Sequence, residues 1–291
     1  FTTSVERFVK AAVEDPKVLA IKMTLYRTGE RSTIVPLLVR AAEQEKAVVC
    51  LIELKAHLDE ARNIQWAQAL EEAGAHVMYG VVGLKTHAKI CLVIRQESDG
   101  IRCYAHIGTG NYNSQTAKVY TDIGILTANP ALCDEAVELF HFLTGRSMKR
   151  DYQRLLVAPF TMRDQFLRLI DREIQNHQAG KPAHLIAKFN SLEDPVVIRA
   201  LYRASQAGVP IQLIVRGVCL LRAGVDGLSK TIQVISVVGR FLEHWRIFYF
   251  RGGAEDLLDG DFFIGSADWM TRNLQRRVEV VTPLNDRPTR E

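Results

Sequence analysis

The sequence predicts an α/β protein built as two copies of one domain, each a mixed, mostly parallel sheet flanked by helices and carrying a motif-bearing hairpin. Three observations predict it. After an opening helix, the first half runs strand, helix, strand, helix, strand, an order that yields a largely parallel sheet with helices on its faces. The second half restarts that order. One local pattern also occurs twice: His87-x-Lys89-Ile90 and His244-x-Arg246-Ile247 each have a glycine 21 positions beyond the histidine, Gly108 and Gly265. Those glycines open Gly108-Thr109-Gly110-Asn111-Tyr112 and Gly265-Ser266-Ala267-Asp268-Trp269.

Apolar residues at helical spacing (Val5, Phe8, Val9, Ala12, Val13) predict the opening helix, stopped at Asp15-Pro16. Val18 to Tyr26 is apolar and rich in strand formers. Ile34 to Gln44 reads as a helix, Ala47 to Leu54 as a buried strand, Asn63 to Ala73 as a helix closed by Gly74, and His76 to Tyr79 as a strand. Ala88 to Arg95 and Ile101 to Ile107 form a hairpin across Asp99-Gly100. Thr116 to Leu126 reads as one more strand and Pro130 to Leu143 as a helix. A polar, irregular stretch from Arg146 to Pro159 sets the expected boundary, giving domains 1–154 and 155–291. Helix Thr161 to His177, strand His184 to Lys188, helix Pro195 to Ala207, strands Ile211 to Arg216 and Ile232 to Val237, and a hairpin of Arg246 to Phe250 with Phe262 to Ser266 complete the second half. In this alignment Ile21-Lys22 corresponds to Ala187-Lys188.

Composition bounds the function. With 47% hydrophobic and 24% charged residues over 291 positions, two ordinary cores are available. No apolar run reaches the roughly 20 residues of a spanning helix, and Phe1-Thr2-Thr3-Ser4 lacks the layout of a signal peptide. Five scattered cysteines (Cys50, Cys91, Cys103, Cys133, Cys219) without C-x-x-C pairing point to a reducing compartment and buried thiols. The net charge of +4 divides into +1 up to residue 154 (19 basic minus 18 acidic) and +3 beyond it (18 minus 15), too weak for bulk nucleic-acid binding. Both ends read as cut, so a catalytic fragment is expected, truncated at the C-terminus of its second domain.

A histidine ahead of an apolar strand is commonly a packed side chain with a satisfied ring. Two of them at matching positions, each with a cation two residues on, call for a shared chemistry. Strand alternation is expected to place His87 and Lys89, and likewise His244 and Arg246, on the same side of a sheet. An imidazole beside a fixed positive charge suits a phosphoryl group: the cation neutralises its oxygens, and the neutral ring is nucleophilic near pH 7. With the motifs facing, one histidine can attack while the other handles the proton.

This grammar resembles the phospholipase D superfamily, whose halves carry His-x-Lys and, after four residues, an Asp. Here those positions are Ile94 and Arg251, so neither half completes the signature. The wording resembles the bacterial polyphosphate kinases, which share that fold. The blocks are Ile21 to Gly29, Gly83 to Lys89, Gly108 to Asn113, Tyr120-Thr121-Asp122, Arg216-Gly217, Phe241 to His244 and Ser266 to Met270. The resemblance spans Ser4 to Leu284 and covers that family's two C-terminal catalytic domains, without its N-terminal and head domains.

The resemblance implies reversible transfer of the ATP γ-phosphate to polyphosphate through a phosphohistidine, with Mg²⁺ as cofactor and ATP or ADP as substrate. It implies a nucleophile at His87 and an acid/base and ATP-contacting role at His244, with Lys89 as the charge partner of His87. Tyr120 and Arg216 match nucleotide contacts. Lys22, Lys188, Arg246, Asn111, Asp268 and Arg27 become candidates for phosphate or polyphosphate binding. Arg27 also matches a magnesium-site position, although a guanidinium has no lone pair and would grip the phosphates that the ion bridges. Its companion in the family is an arginine, where this sequence has His57 in Lys55-Ala56-His57-Leu58-Asp59-Glu60. Trp245 stands where a small residue is usual. The partners implied are polyphosphate and ATP, with no nucleic acid, a homo-oligomer at full length, and a cytoplasmic location with at most peripheral association at the inner membrane face. A phosphodiesterase on the same fold and a non-catalytic polyphosphate- or nucleotide-binding module are the alternatives.

Overall fold

The computed structural model describes residues 1–26, 32–53 and 60–291, with 60–62 described in backbone only. The chain divides into two compact units, Phe1–Arg150 and Asp151–Glu291.

In the first unit a single wide turn (Thr2–Glu6) leads into α1 (Arg7–Glu14), whose buried Val9, Ala12 and Val13 confirm the predicted apolar stripe. β1 (Val18–Leu25), α2 (Ile34–Glu43), β2 (Ala47–Ile52), α3 (Glu60–Glu72) and β3 (His76–Met78) follow in the predicted order. A two-residue strand, β4 (Lys85–Thr86), precedes the hairpin of β5 (Lys89–Glu97) and β6 (Gly100–Gly108), paired from Lys89 with Gly108 to Glu97 with Gly100. β7 (Tyr120–Thr121), β8 (Gly124–Thr127) and α4 (Pro130–Leu143) complete it. The sheet order is β3-β2-β1-β5-β6-β8.

β9 (Leu156–Ala158) and α5 (Met162–Gln178) open the second unit. β10 (Leu185–Phe189), α6 (Pro195–Gln206), β11 (Ile211–Val215), β12 (Ile232–Ile235), β13 (Leu242–Glu243), β14 (Ile247–Phe250), β15 (Asp261–Gly265), α7 (Thr271–Gln275) and β16 (Arg277–Pro283) follow. Its strands run β12-β11-β10-β14-β15-β16, with β9 antiparallel on β16. Strand for strand this repeats the first sheet, so the duplication extends from the motifs to the whole ladder.

The sheets are mixed, but their parallel part is smaller than expected. In the first unit β1 with β2 and β2 with β3 are parallel, while β1 with β5, β5 with β6 and β6 with β8 are antiparallel. The hairpins that carry the motifs supply the antiparallel half. The expected strand from Thr116 to Leu126 is a 3₁₀ turn (Thr116–Lys118), β7 and β8. It breaks because Thr109 reaches into it: the Thr109 hydroxyl donates to Asp122 (2.7 Å) and accepts from the Ile123 amide (3.0 Å). β9, α7 and β16 were not anticipated. β9 lies in the stretch read as irregular, where three apolar residues are too few to show a period.

Each unit has its own core. In the second, Phe166, Phe189, Phe248 and Trp269 are buried together, the tryptophan ring lying 5.4, 4.9 and 5.2 Å from the other three. The motif aromatic Trp269 therefore anchors Asp268 beside it. Among the described residues no helix is long and apolar enough to cross a membrane.

Candidate active site

Both motif histidines sit just ahead of the strand they introduce. His87 precedes β5 by two residues and His244 precedes β14 by three, so strand alternation does not pair them with their cations as expected. A different device does. Lys89 and Arg246 are buried, and a buried cation must find acceptors. Each turns back on its own histidine: Lys89 Nζ donates to the His87 carbonyl, and Arg246 Nη1 donates to the His244 carbonyl at 2.9 Å. The hairpins hold the two cations in equivalent register, Lys89 opposite Gly108 and the Arg246 carbonyl accepting from the Gly265 amide.

Around the first motif, Tyr26 organises the charges. Its ring lies 5.1 Å edge-on to His87, with Lys85 Nζ 5.1 Å and Lys89 Nζ 5.3 Å from its centroid. Thr24 donates to the Ala88 carbonyl (2.7 Å) and accepts from the Ile90 amide (3.1 Å), fixing the bend between His87 and β5. Glu53 accepts from the Thr86 amide at 3.0 Å, holding the residue before His87.

The second motif is more heavily bonded. Arg246 Nη1 lies 2.9 Å from Nε2 and 3.1 Å from Nδ1 of His244. Its Nε and Nη2 donate to the two oxygens of Asp268 at 3.2 and 3.3 Å, and Asp268 also accepts from the Asn190 amide (2.8 Å) and side chain (3.1 Å). Arg216 follows β11 next to this network: Gly217 donates to the Asn190 carbonyl, and a buried Arg216 nitrogen, Nη1, has no hydrogen-bond partner among the described residues. These groups cluster at the carboxyl ends of β10 and β11, the usual binding edge of such sheets. Lys188 pairs with Glu243 (3.0 Å) and lies 5.3 Å over the Trp245 ring.

Of the other sequence candidates, Tyr120 lines a cavity of about 250 Å³ with Asn111, Asp122, His106 and Tyr112. Asn111 Oδ1 is buried there without a hydrogen-bond partner among the described residues. Lys22 is not equivalent to Lys188. It pairs with Leu92, three residues beyond Lys89, whereas Lys188 pairs with Ile247, one beyond Arg246, so Thr24 is the true counterpart of Lys188. Lys22 instead neighbours Cys103 and Arg146, and burial lowers its pKa. Arg27 and His57 lie outside the described residues. Among the described residues there is no group of three or more His, Cys, Asp or Glu side chains that could hold a metal ion.

Three residues near the motifs were given no role by the sequence. His106 is buried, its Nδ1 2.9 Å from the Tyr112 hydroxyl, and burial lowers its pKa to about 4. Gly108 makes room for this ring, since an added Cβ would lie 2.9 Å from His106 Cε1. Asp122 and Glu279 are the others. Thr109 donates to Asp122 and Ser266 donates to Glu279, and each carboxylate stands 13 positions after its hydroxyl partner.

The family profile described as polyphosphate kinase C-terminal domain 1 matches residues 1–149, and that described as C-terminal domain 2 matches residues 155–291. The chain belongs to the polyphosphate kinase family. A polyphosphate kinase of Synechocystis sp. is 57% identical over 284 residues, 98% of this chain and 38% of its own length. One from Thermosynechococcus vestitus is 56% identical over 98% of this chain and 38% of its own length. The crystal structure of the Porphyromonas gingivalis polyphosphate kinase superposes with a TM-score of 0.91 at 38% identity, covering 100% of this chain and 44% of that one. A phosphatidylserine synthase from Haemophilus influenzae shares the fold alone, at 9% identity and a TM-score of 0.62 over 98% of this chain and 81% of its own. The chain thus spans about two fifths of the length of the polyphosphate kinases it matches.

Proposed function

We propose that this chain is the catalytic part of a polyphosphate kinase, moving the γ-phosphate reversibly between ATP and polyphosphate through phospho-His87. The observation that carries the reading is the duplicated histidine with its buried cation, Lys89 behind His87 and Arg246 behind His244. In the first step a ring nitrogen of His87 attacks the γ-phosphorus, the nitrogen-phosphorus bond forms, and ADP leaves. In the second, a terminal oxygen of polyphosphate attacks the same phosphorus and His87 departs. Both steps depend on positioning and charge neutralisation.

Lys89 supplies fixed charge behind the nucleophile. His244 holds or moves the proton at the departing or entering oxygen. Tyr120 is assigned to the adenine and Arg216 to the phosphates, where a planar fork favours bidentate contact. Arg27, Lys188, Arg246, Asn111 and Asp268 are assigned to phosphate binding or its support. Mg²⁺ accompanies the nucleotide. The same reading makes the full-length protein a cytoplasmic homo-oligomer with at most peripheral membrane association.

The test is incubation with γ-labelled ATP and Mg²⁺. A label that is acid-labile and base-stable, and is lost in His87→Ala, is expected. Label retained in that variant would overturn the assignment, and tight ATP binding without label would favour a binding module. Hydrolysis of a diester in the absence of nucleotide would favour the phosphodiesterase.

A further inference from the structure

Two of the cations assigned to phosphate already have a carboxylate, and they are held by it differently. Arg246 and Asp268 are 4% and 9% exposed, and Asp268 is fixed further by the Asn190 amide (2.8 Å) and side chain (3.1 Å). That pair is locked. Lys188 Nζ lies 3.0 Å from Glu243 Oε2, but these side chains are 16% and 26% exposed, and Glu243 makes no second side-chain contact of this kind among the described residues. This pair is a single contact that an incoming anion can reach.

The surroundings suit a chain of phosphates. Arg216 forms no ion pair among the described residues, and its Nη1 is buried without a hydrogen-bond partner there. Lys188 pairs with Ile214 across the parallel ladder of β10 and β11, and the Arg216 amide continues that ladder to the Phe189 carbonyl (3.4 Å). Ile214 and Arg216 therefore share one side of the sheet with Lys188. Strands about 4.8 Å apart and an advance of about 3.3 Å per residue put the Lys188 and Arg216 backbones about 8 Å apart. Two long side chains at that spacing can grip neighbouring phosphates of one molecule.

We propose that Glu243 is a stand-in anion that competes with substrate for Lys188: it holds the ammonium in the absence of polyphosphate, and a phosphate of the chain displaces it when the chain binds across Arg216 and Lys188. The inference rests on the proposed function, which makes polyphosphate the substrate. One ion pair is exchanged for another, so the net gain at Lys188 is the difference between two attractions and the grip stays weak. A weak grip lets the chain move on by one phosphate after each transfer. Glu243 immediately precedes His244, so this exchange takes place at the second motif.

The experiment titrates the whole chain with long-chain inorganic polyphosphate, without nucleotide, and follows both tryptophan emission and binding heat. Lys188 lies 5.3 Å over the Trp245 ring, so its release from Glu243 should shift the parent's emission, and Trp245→Phe should remove that shift. Glu243→Gln keeps the shape and removes the competing charge; calorimetry should show it binding polyphosphate about fivefold tighter, equivalent to about 1 kcal/mol. Glu243→Ala should move in the same direction. In a Lys188→Gln background the gain from Glu243→Gln should vanish, which separates competition for this ammonium from a general loss of negative charge. Affinities of parent and Glu243→Gln within about twofold of each other, or a gain that persists without Lys188, would overturn the proposal. So would an unshifted parent emission when calorimetry shows the chain bound. These outcomes leave the phosphohistidine test untouched, whereas polyphosphate binding to neither parent nor Glu243→Gln would overturn the proposal together with polyphosphate as the substrate.

Discussion

Replacing Asp268 with Asn tests whether the second motif is held by charge or by shape. The Asp268 side chain is 9% exposed and that of Arg246 is 4% exposed, so the pair is withdrawn from water. Asp268→Asn keeps an acceptor for the Asn190 amide but leaves the guanidinium buried without a counter-charge. Removing one partner of such a pair costs about 3–5 kcal/mol, and the retained acceptor places this change near the lower end, about 3 kcal/mol. At about 2–4 °C per kcal/mol, the melting temperature should fall by about 10 °C. Differential scanning calorimetry checks this on the whole chain. Arg246→Met with Asp268→Leu should recover most of the loss, because no unpaired charge remains. An Asp268→Asn melting temperature within about 2 °C of the parent would refute the reasoning, since that is within the scatter of ordinary surface substitutions.

Four further outcomes are expected. Because burial lowers the folded-state pKa of His106 from the ordinary 6.5 to about 4, the unfolded chain binds the extra proton between those values. Its stabilisation is therefore complete above pH 6.5 and is lost as pH falls toward 4, by about 3 kcal/mol in all; urea midpoints at pH 7.5 and 4.5 should show the loss, and His106→Gln should flatten it. Gly124→Ala would set a Cβ 2.4 Å from His106 Nε2, so near-ultraviolet circular dichroism and urea unfolding should report a displaced ring and lower stability. Trp269→Ala should cost about 3–5 kcal/mol in urea unfolding, given its complete burial among three phenylalanines. Under the proposed function, Arg216→Lys should raise the KM for ATP about tenfold with a smaller effect on kcat, because a lysine cannot make the planar two-point contact.

The duplication was legible because a histidine, a cation and a glycine recur at one spacing, and strand ladders preserve spacing. Register along a strand was not. Lys22 and Lys188 each follow short apolar runs, and alternation leaves a two-residue slip undetected; only the pairing of β1 with Leu92 and of β10 with Ile247 reveals it. No role was legible for Asp122, although it stands in the Tyr120-Thr121-Asp122 block, or for Glu279, because a lone carboxylate gives no local signal and its hydroxyl partner lies 13 positions earlier. A signal did exist. Both lie 14 positions beyond the motif glycines, Gly108 and Gly265, so the spacing comparison that found the histidines would have found them had it run further. His106 lacked even that, since the glycines that expose its role, Gly108 and Gly124, come together only once β8 pairs with β6.

The two motifs share a backbone design but differ in charge, and the difference supports unequal roles for their histidines. At the second motif, Arg246 is matched by Asp268, and its Nη1 stands against both ring nitrogens of His244. A ring facing a guanidinium has its lone pair engaged, which disfavours attack on phosphorus and favours a fixed orientation for proton handling. At the first motif, the position of Asp268 is taken by Asn111, which brings no negative charge, and the cation is a lysine folded onto the His87 carbonyl. There the His87 ring meets the edge of Tyr26. Under the proposed function, an anionic phosphoryl group is better accommodated where that position lacks the carboxylate. Under the proposed function, the same sheet edge, copied twice, gives His87 the role of carrying phosphate and His244 that of assisting it.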